Sequence, residues 1–177
     1  MTTYTPLPIP PSALASLRRS DDSGRAMRPY VAREVGDPYD AVGSPLRCCL
    51  RPVEPGDRIA LVSYAPLRRW AAETGAEPGA YDEAGPVFIH AEPCGGPREP
   101  QGSRGGYPFA RPGALRTLRR YDARGHIAGG RLFEIPQEDA GAGFEAALAE
   151  AFADPAVALV HVRAVEYGCF HFEVRRP

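Results

Sequence analysis

Lysine and asparagine are both missing from this chain of 177 residues: all 21 basic residues are arginines. Their codons are AT-rich, whereas those of arginine, alanine, glycine and proline are GC-rich. A GC-rich bacterial genome is therefore the simplest source of the arginine excess. The excess in turn says little about phosphate binding, although paired guanidinium N–H groups suit anions. The net charge of −1 leaves no global field to attract nucleic acid or an anionic membrane. No apolar run approaches the roughly 20 residues that a membrane helix needs. The start, MTTYTPLPIPPSALASLRRS, lacks the charged and then apolar regions of a secretory signal. A cytoplasmic location is expected, with the four cysteines as reduced thiols rather than a disulfide framework. Phosphate loops, GxGxxG turns, nucleophile elbows and calcium loops are absent as motifs.

What remains is the composition of an ordinary globular chain, 44% hydrophobic and 24% charged. The length fits one domain spanning 1–177, enough to bury roughly 70% of the unfolded surface. Twenty prolines and nineteen glycines gather in clusters. One forms an extended N-terminal arm over 1–10. Another, over 93–113, reads as a long loop or lid. Between the clusters, β-rich runs occupy 57–66 and 85–93. A strand pair is expected around a turn at Asp122–Gly125, and a second pair, 157–165 and 169–176, around Glu166–Gly168. Phe144, Leu148, Ala151 and Phe152 share one face of a helix over about 137–153, stopped by Asp154-Pro155. A short helix is expected after Pro11. The fold class is α+β: a mainly antiparallel mixed sheet, one firm helix and a short N-terminal one.

The stretch FIHAEPCGG, residues 88–96, holds the letters of a zinc nucleobase deaminase, His-x-Glu followed by Pro-Cys. The spacing argues against that chemistry. His90, Glu92 and Cys94 crowd into five residues at a strand end, and Gly95-Gly96-Pro97 stand where a second cysteine is needed. His90 then reads as a strand residue facing core or cleft. Cys48 and Cys49 are adjacent, and neighbours on a strand point to opposite faces, which keeps the two thiols from sharing a metal. No metal and no cofactor is expected.

The C-terminal strands carry the densest set of reactive side chains. Alternation puts His161 and Arg163 on one face, and Cys169, His171 and Glu173 on the corresponding face of the next strand. Pairing of the strands would gather groups suited to acid–base chemistry or anion binding. The bland alternative is a solvated outer sheet face. An arginine strip from Arg111 to Arg131, interleaved with Tyr107, Phe109 and Tyr121, could track nucleic acid. The near-neutral charge and the codon bias argue against it.

The segments SPLRCCLRPVEPGDRIALVSYAP, AYDEAGPVFIHAEPC, RRYDARG and ADPAVALVHVRAVEYGCFHFEV, in that order, resemble a small bacterial family catalogued as domain of unknown function 1203. The resemblance covers roughly residues 40–175. It is most specific at Pro45, Arg47 and Cys49, at Gly85–Phe88, and at His161 with Gly168-Cys169. The family often has a histidine where this chain has Arg163, so a His-x-His metal pair is not expected here. The resemblance implies an architecture and no reaction.

Together these readings lead to an expected cleft binding a small polar or anionic molecule. Its lining would be Arg47, Tyr64, His90, His161, Arg163 and His171, beneath the 93–113 lid. If there is catalysis, His161 or His90 is the acid–base group, and Cys169 or Cys49 the outside candidate for nucleophile. The alternatives are a non-catalytic accessory or protein-binding module, or a metal-dependent enzyme using His90 with His161 or His171. No nucleic-acid or membrane partner is expected, and a homo-oligomer is left open.

Overall fold

The computed structural model describes residues 4–97 and 107–177. The chain divides into two compact units, each assembled from separated stretches. One is formed by Pro8–Ala65 with Ala84–Arg98, and the other by Met1–Leu7, Pro66–Glu83 and Glu99–Pro177. We call them the cysteine unit and the four-stranded unit. The α+β class read from the sequence holds. Among the described residues there are two antiparallel sheets, rather than the one expected, and three α-helices.

In the cysteine unit, helix α1 (Pro11–Leu17) begins on a proline, whose missing N–H is no loss in a first turn. It buries Ala13, Leu14 and Leu17. The sheet runs β1 (Tyr30–Val31), β2 (Arg58–Tyr64), β3 (Gly85–His90), with β2 central. Ile59 lies opposite His90 and Leu61 opposite Phe88. Leu46 then adds a single parallel bridge to Phe88, which brings the segment after Pro45 alongside β3.

The four-stranded unit opens with α2 (Pro66–Thr74), a helix the sequence reading does not contain. Leu67, Trp70 and Ala71 give it a buried stripe at i, i+3 and i+4. Gly75, at φ +76, ends it by donating to Ala71 O. One 3-10 turn follows at Gly79–Tyr81. Strands β4 (Leu115–Asp122) and β5 (Ile127–Glu134) form the expected hairpin. The Asp122 carboxylate accepts from the backbone of Arg124 and His126, and Gly125 takes φ +83 with Pro78 close by, a position any side chain would strain. Helix α3 (Ala140–Ala151) is capped by Asp139, which accepts from Ala142 N. It is followed by β6 (Val157–Ala164) and β7 (Phe170–Arg175), giving the strand order β5-β4-β6-β7.

Phe144 of α3 is fully buried. Its ring stacks on Tyr107 at 4.6 Å and meets Phe133 edge-on at 5.0 Å. Phe144→Ala leaves a cavity that Tyr107, Phe133 and Phe172, the last at 6.3 Å, cannot fill, so a loss of about 3–5 kcal/mol is expected in urea unfolding. Among the described residues, no helix is long and apolar enough to cross a membrane.

Candidate metal centre

The two adjacent cysteines do not lie on a strand. After the Leu46 bridge the chain turns back at once: Leu50 N donates to Leu46 O, and Leu46 N to Arg51 O, both at 2.9 Å. Pro45 and Pro52 pair at the mouth of this loop. Leu50 takes φ +57, which a branched aliphatic residue rarely adopts. In such a turn successive side chains are rotated by about 100°, as in a helix, and not by the half-turn of a strand. The expectation that Cys48 and Cys49 face opposite ways is therefore corrected. Their sulfurs lie 3.9 Å apart on the same side, and the argument against a shared metal falls with it.

His90, the last residue of β3, meets both thiols. Its Nδ1 is 3.2 Å from Cys48 Sγ and 3.8 Å from Cys49 Sγ, while its backbone N–H donates to Cys48 Sγ at 3.3 Å. The strand then ends, and Arg18 holds the exit by donating to His90 O and Glu92 O. Cys94 follows on this loop. Cys48 Sγ, Cys49 Sγ, His90 and Cys94 Sγ each offer a ligand atom, and the four atoms lie within 4.8 Å of one another. Cys48, Cys49 and His90 are buried, and Cys94 is half-buried.

A tetrahedral zinc site tests the fit. Zn–S bonds of about 2.3 Å and Zn–N bonds of about 2.0–2.1 Å imply S···S edges near 3.8 Å and S···N edges near 3.6 Å. The separations among Cys48, Cys49 and His90, 3.9, 3.2 and 3.8 Å, straddle those values, and Cys94 Sγ lies within 4.8 Å of all three. The donor set, three thiols and one imidazole, is one that structural zinc sites use.

A second layer surrounds the ring. Arg51 clamps Asp57 through two bonds of 3.1 and 3.0 Å and places Nη2 2.9 Å from His90 Nε2. Asp57 Oδ1 is 3.6 Å from the same nitrogen. The Asp57 carboxyl is held below its ordinary range: burial would raise it, but the Arg51 clamp and the Glu54 N–H outweigh that. The Cys49 thiol is lowered to about 6, first by the hydrogen bond from Cys48 and then, against burial, by the Arg51 N–H and the His90 and Arg51 charges. Cys48 is pushed up as the donor of that bond and by burial. One proton shared between two sulfurs leaves Cys49 as the thiolate, the form that binds metals.

The remaining sequence candidates are distributed between the two units. Arg47 and Tyr64 belong, like His90, to the cysteine unit, and both are buried. Arg47 spans the cysteine loop, its N–H donating to Phe88 O and its guanidinium to Pro45 O. His161, Arg163, Cys169 and His171 belong to the four-stranded unit. There His161 is 0% exposed, and its Nε2 lies 3.2 Å from Glu173 Oε2, so that pair is cross-strand as read. It faces core, however, and not solvent. A register shift between Val162 and Arg163 sets Phe170 edge-on to the His161 ring at 5.1 Å. His171 instead meets Phe109, at 5.4 Å. Arg163 donates to Gly168 O and pairs with Glu83, which also holds Arg119. Cys169 Sγ contacts Tyr167 O. The central part of the expected lid, residues 98–106, lies outside the described residues.

Asp57 and Arg51 are absent from the sequence reading. A signal for the cysteine loop was present in the prolines that bracket it, Pro45 and Pro52, since proline cannot donate to a sheet ladder, but it does not discriminate, because the run from Pro86 to Pro93 forms β3 up to His90.

A family model, described as a protein of unknown function (DUF1203), matches residues 43–176. That range contains all four sulfur and imidazole donors. No curated protein and no solved structure matches the chain.

Proposed function

Since the chain belongs to the DUF1203 family, which assigns it no chemistry, we propose from its own residues that it is a metal-binding protein. The ion is of the soft, tetrahedral, zinc class, bound by Cys48, Cys49, Cys94 and His90. The observation that carries this reading is the convergence of four soft or borderline donors, from two loops about 40 residues apart in sequence, to within 4.8 Å. Hydrogen bonding alone would not require Cys94 to join a histidine already contacted by two thiols.

Four protein donors complete a tetrahedral shell and leave no position for water or substrate, which is the pattern of structural rather than hydrolytic sites. The ion would tie the Cys48–Cys49 loop to the exit of β3, joining segments that otherwise share the Leu46–Phe88 bridge and the Arg47–Phe88 hydrogen bond. Ligation through Nδ1 puts the ring proton on Nε2. Asp57 Oδ1, 3.6 Å from Nε2, would then be the acceptor that orients the ring in place of the Arg51 contact, the usual second-layer arrangement. Glu92, the residue a deaminase would use as proton shuttle, pairs instead with Arg58.

Metal analysis of protein purified without chelator, followed by cobalt substitution, tests the reading. About one equivalent of metal is expected, with the intense near-ultraviolet thiolate-to-cobalt absorption of a multi-thiolate tetrahedral site. Less than about a tenth of an equivalent, after incubation with zinc under reducing conditions, would overturn it.

A further inference from the structure

The cysteine unit also carries an open cleft of ≈ 750 Å³, lined in part by Arg25, Arg28, Tyr39, Leu61, Ser63 and Pro86. None of these is a donor to the proposed metal. The volume lies within the range of small-molecule sites, and the distribution of charge in it is uneven.

Arg51 and Arg58 of the same unit are each paired with a carboxylate. Among the described residues, the side chains of Arg25 and Arg28 have no hydrogen bond or ion pair, and neither does the Tyr39 hydroxyl. The acid in the cleft wall, Asp21, forms no ion pair with them. Asp21 directs its carboxylate into the backbone, accepting from Ser23 N, Ser23 Oγ, Arg25 N and Ser63 N at 2.8–3.0 Å. Burial would raise its pKa, but those hydrogen bonds outweigh burial and keep it ionised. Its oxygens are committed to holding the 21–25 turn against β2.

The Tyr39 part of the lining is fixed in a similar way. Asp37 accepts from the backbone N–H groups of Arg33, Tyr39 and Ala41. The Tyr39 ring rests against Tyr30 at 5.5 Å and Phe88 at 6.4 Å. The Arg25 guanidinium and the Tyr39 phenol are thus presented from pinned turns, with Arg28 on the chain between them, beside the apolar surfaces of Leu61, Pro86 and the Tyr39 ring. An anion in the cleft would meet guanidinium groups on its lining, and guanidinium N–H pairs match phosphate and carboxylate oxygens. The apolar surfaces suit a ring or short hydrocarbon attached to that anion.

We propose that this cleft binds a small organic anion, a phosphate or carboxylate on an apolar or aromatic body, with Arg25 and Arg28 taking the charge and Tyr39 the body. The ligand class is the one expected from the sequence, but the residues assigned to it are different. The site is independent of the metal.

Calorimetric titration of the full-length protein at low salt, with inorganic phosphate, phenyl phosphate and benzoate, tests it. Saturable binding of phenyl phosphate or benzoate is expected, the tighter of the two identifying the charged group, and at least about 5-fold tighter than inorganic phosphate. R25A/R28A should weaken it by at least about 10-fold, with an unchanged thermal melt, as both side chains are exposed. Y39A should bring phenyl phosphate to within about 2-fold of inorganic phosphate. No saturation below about 10 mM of either aromatic anion, or an unchanged affinity in R25A/R28A, would overturn the proposal.

Discussion

Replacing Cys49 with serine should lower zinc affinity by about 100- to 1000-fold. Structural zinc sites bind with an apparent free energy of about 10–16 kcal/mol, and a quarter of that, one ligand's share, is about 2.5–4 kcal/mol. Cys48→Ser and Cys94→Ser should fall in the same range. Cys169→Ser should change nothing, because that thiol belongs to the other unit and contacts Tyr167 O. Asp57→Asn should give an intermediate loss of about 10–100-fold, because the amide keeps the shape but accepts more weakly from the ring. Competition against a chromophoric chelator measures all five proteins. The wild-type chain should also melt higher with zinc than with chelator, by an amount growing with the free metal concentration. A Cys49→Ser protein that binds zinc as tightly as wild type would remove Cys49 from the site.

Much of the architecture follows from period and punctuation. The β4–β5 and β6–β7 hairpins were legible because alternating runs flank turns whose glycines, Gly125 and Gly168, take positive φ. Helix α3 was legible because Phe144, Leu148 and Ala151 repeat at helical spacing. Helix α2 was not, although Leu67, Trp70 and Ala71 repeat in the same way. The strand before it runs straight into Pro66, and a proline there can be taken as the end of a strand as easily as the start of a helix. The parting of the sheet into two is a property of long-range pairing, which local pattern does not carry.

The site divides along the same line. That His161 pairs with Glu173 could be read from alternation across one short turn, since both lie on the same hairpin. Whether that face is wet or buried could not, because its cover comes from Tyr121 on a neighbouring strand, whose ring is 4.8 Å from His161. The metal cluster was hidden for a different reason. Its donors come from two loops brought together by long-range contacts, the Leu46–Phe88 bridge and the Arg47–Phe88 hydrogen bond among them, and treating Cys48 and Cys49 as strand neighbours gave the wrong geometry for the pair. His90 and Cys94, four residues apart, gave half of a ligand set whose other half lies 41 residues upstream.

Unfolding stability should decline in two stages as the medium is acidified, and Glu173 and His161 account for an identifiable part of each. His161 is wholly buried, and burial holds it below its ordinary 6.5 despite the Glu173 carboxylate beside it. It is therefore neutral, with Nε2–H donating to Glu173 Oε2. Below pH 6.5 the unfolded chain takes up a proton that the folded chain refuses, so this contribution is complete above that pH and is lost as pH falls. Glu173 is also held below its ordinary 4.5: burial would raise it, but hydrogen bonds from His161 and from Arg175, at 2.6 Å, outweigh that. Its contribution is complete above 4.5 and disappears at lower pH, alongside those of Asp21, Asp37, Asp57 and Asp122, which shift the same way. His161→Gln should flatten the slope of stability between about pH 7 and 5, leaving the lower stage in place. Glu173→Ala should cost about 3–4 kcal/mol at pH 7.5, because it leaves the buried imidazole N–H without its acceptor and breaks the bond to Arg175. Glu173→Gln, which still offers an oxygen to His161, should cost less than half of that. Urea titrations at about half-unit steps from pH 8 to 4 measure each slope. A His161→Gln protein with the wild-type slope above pH 5 would assign the upper stage to another group.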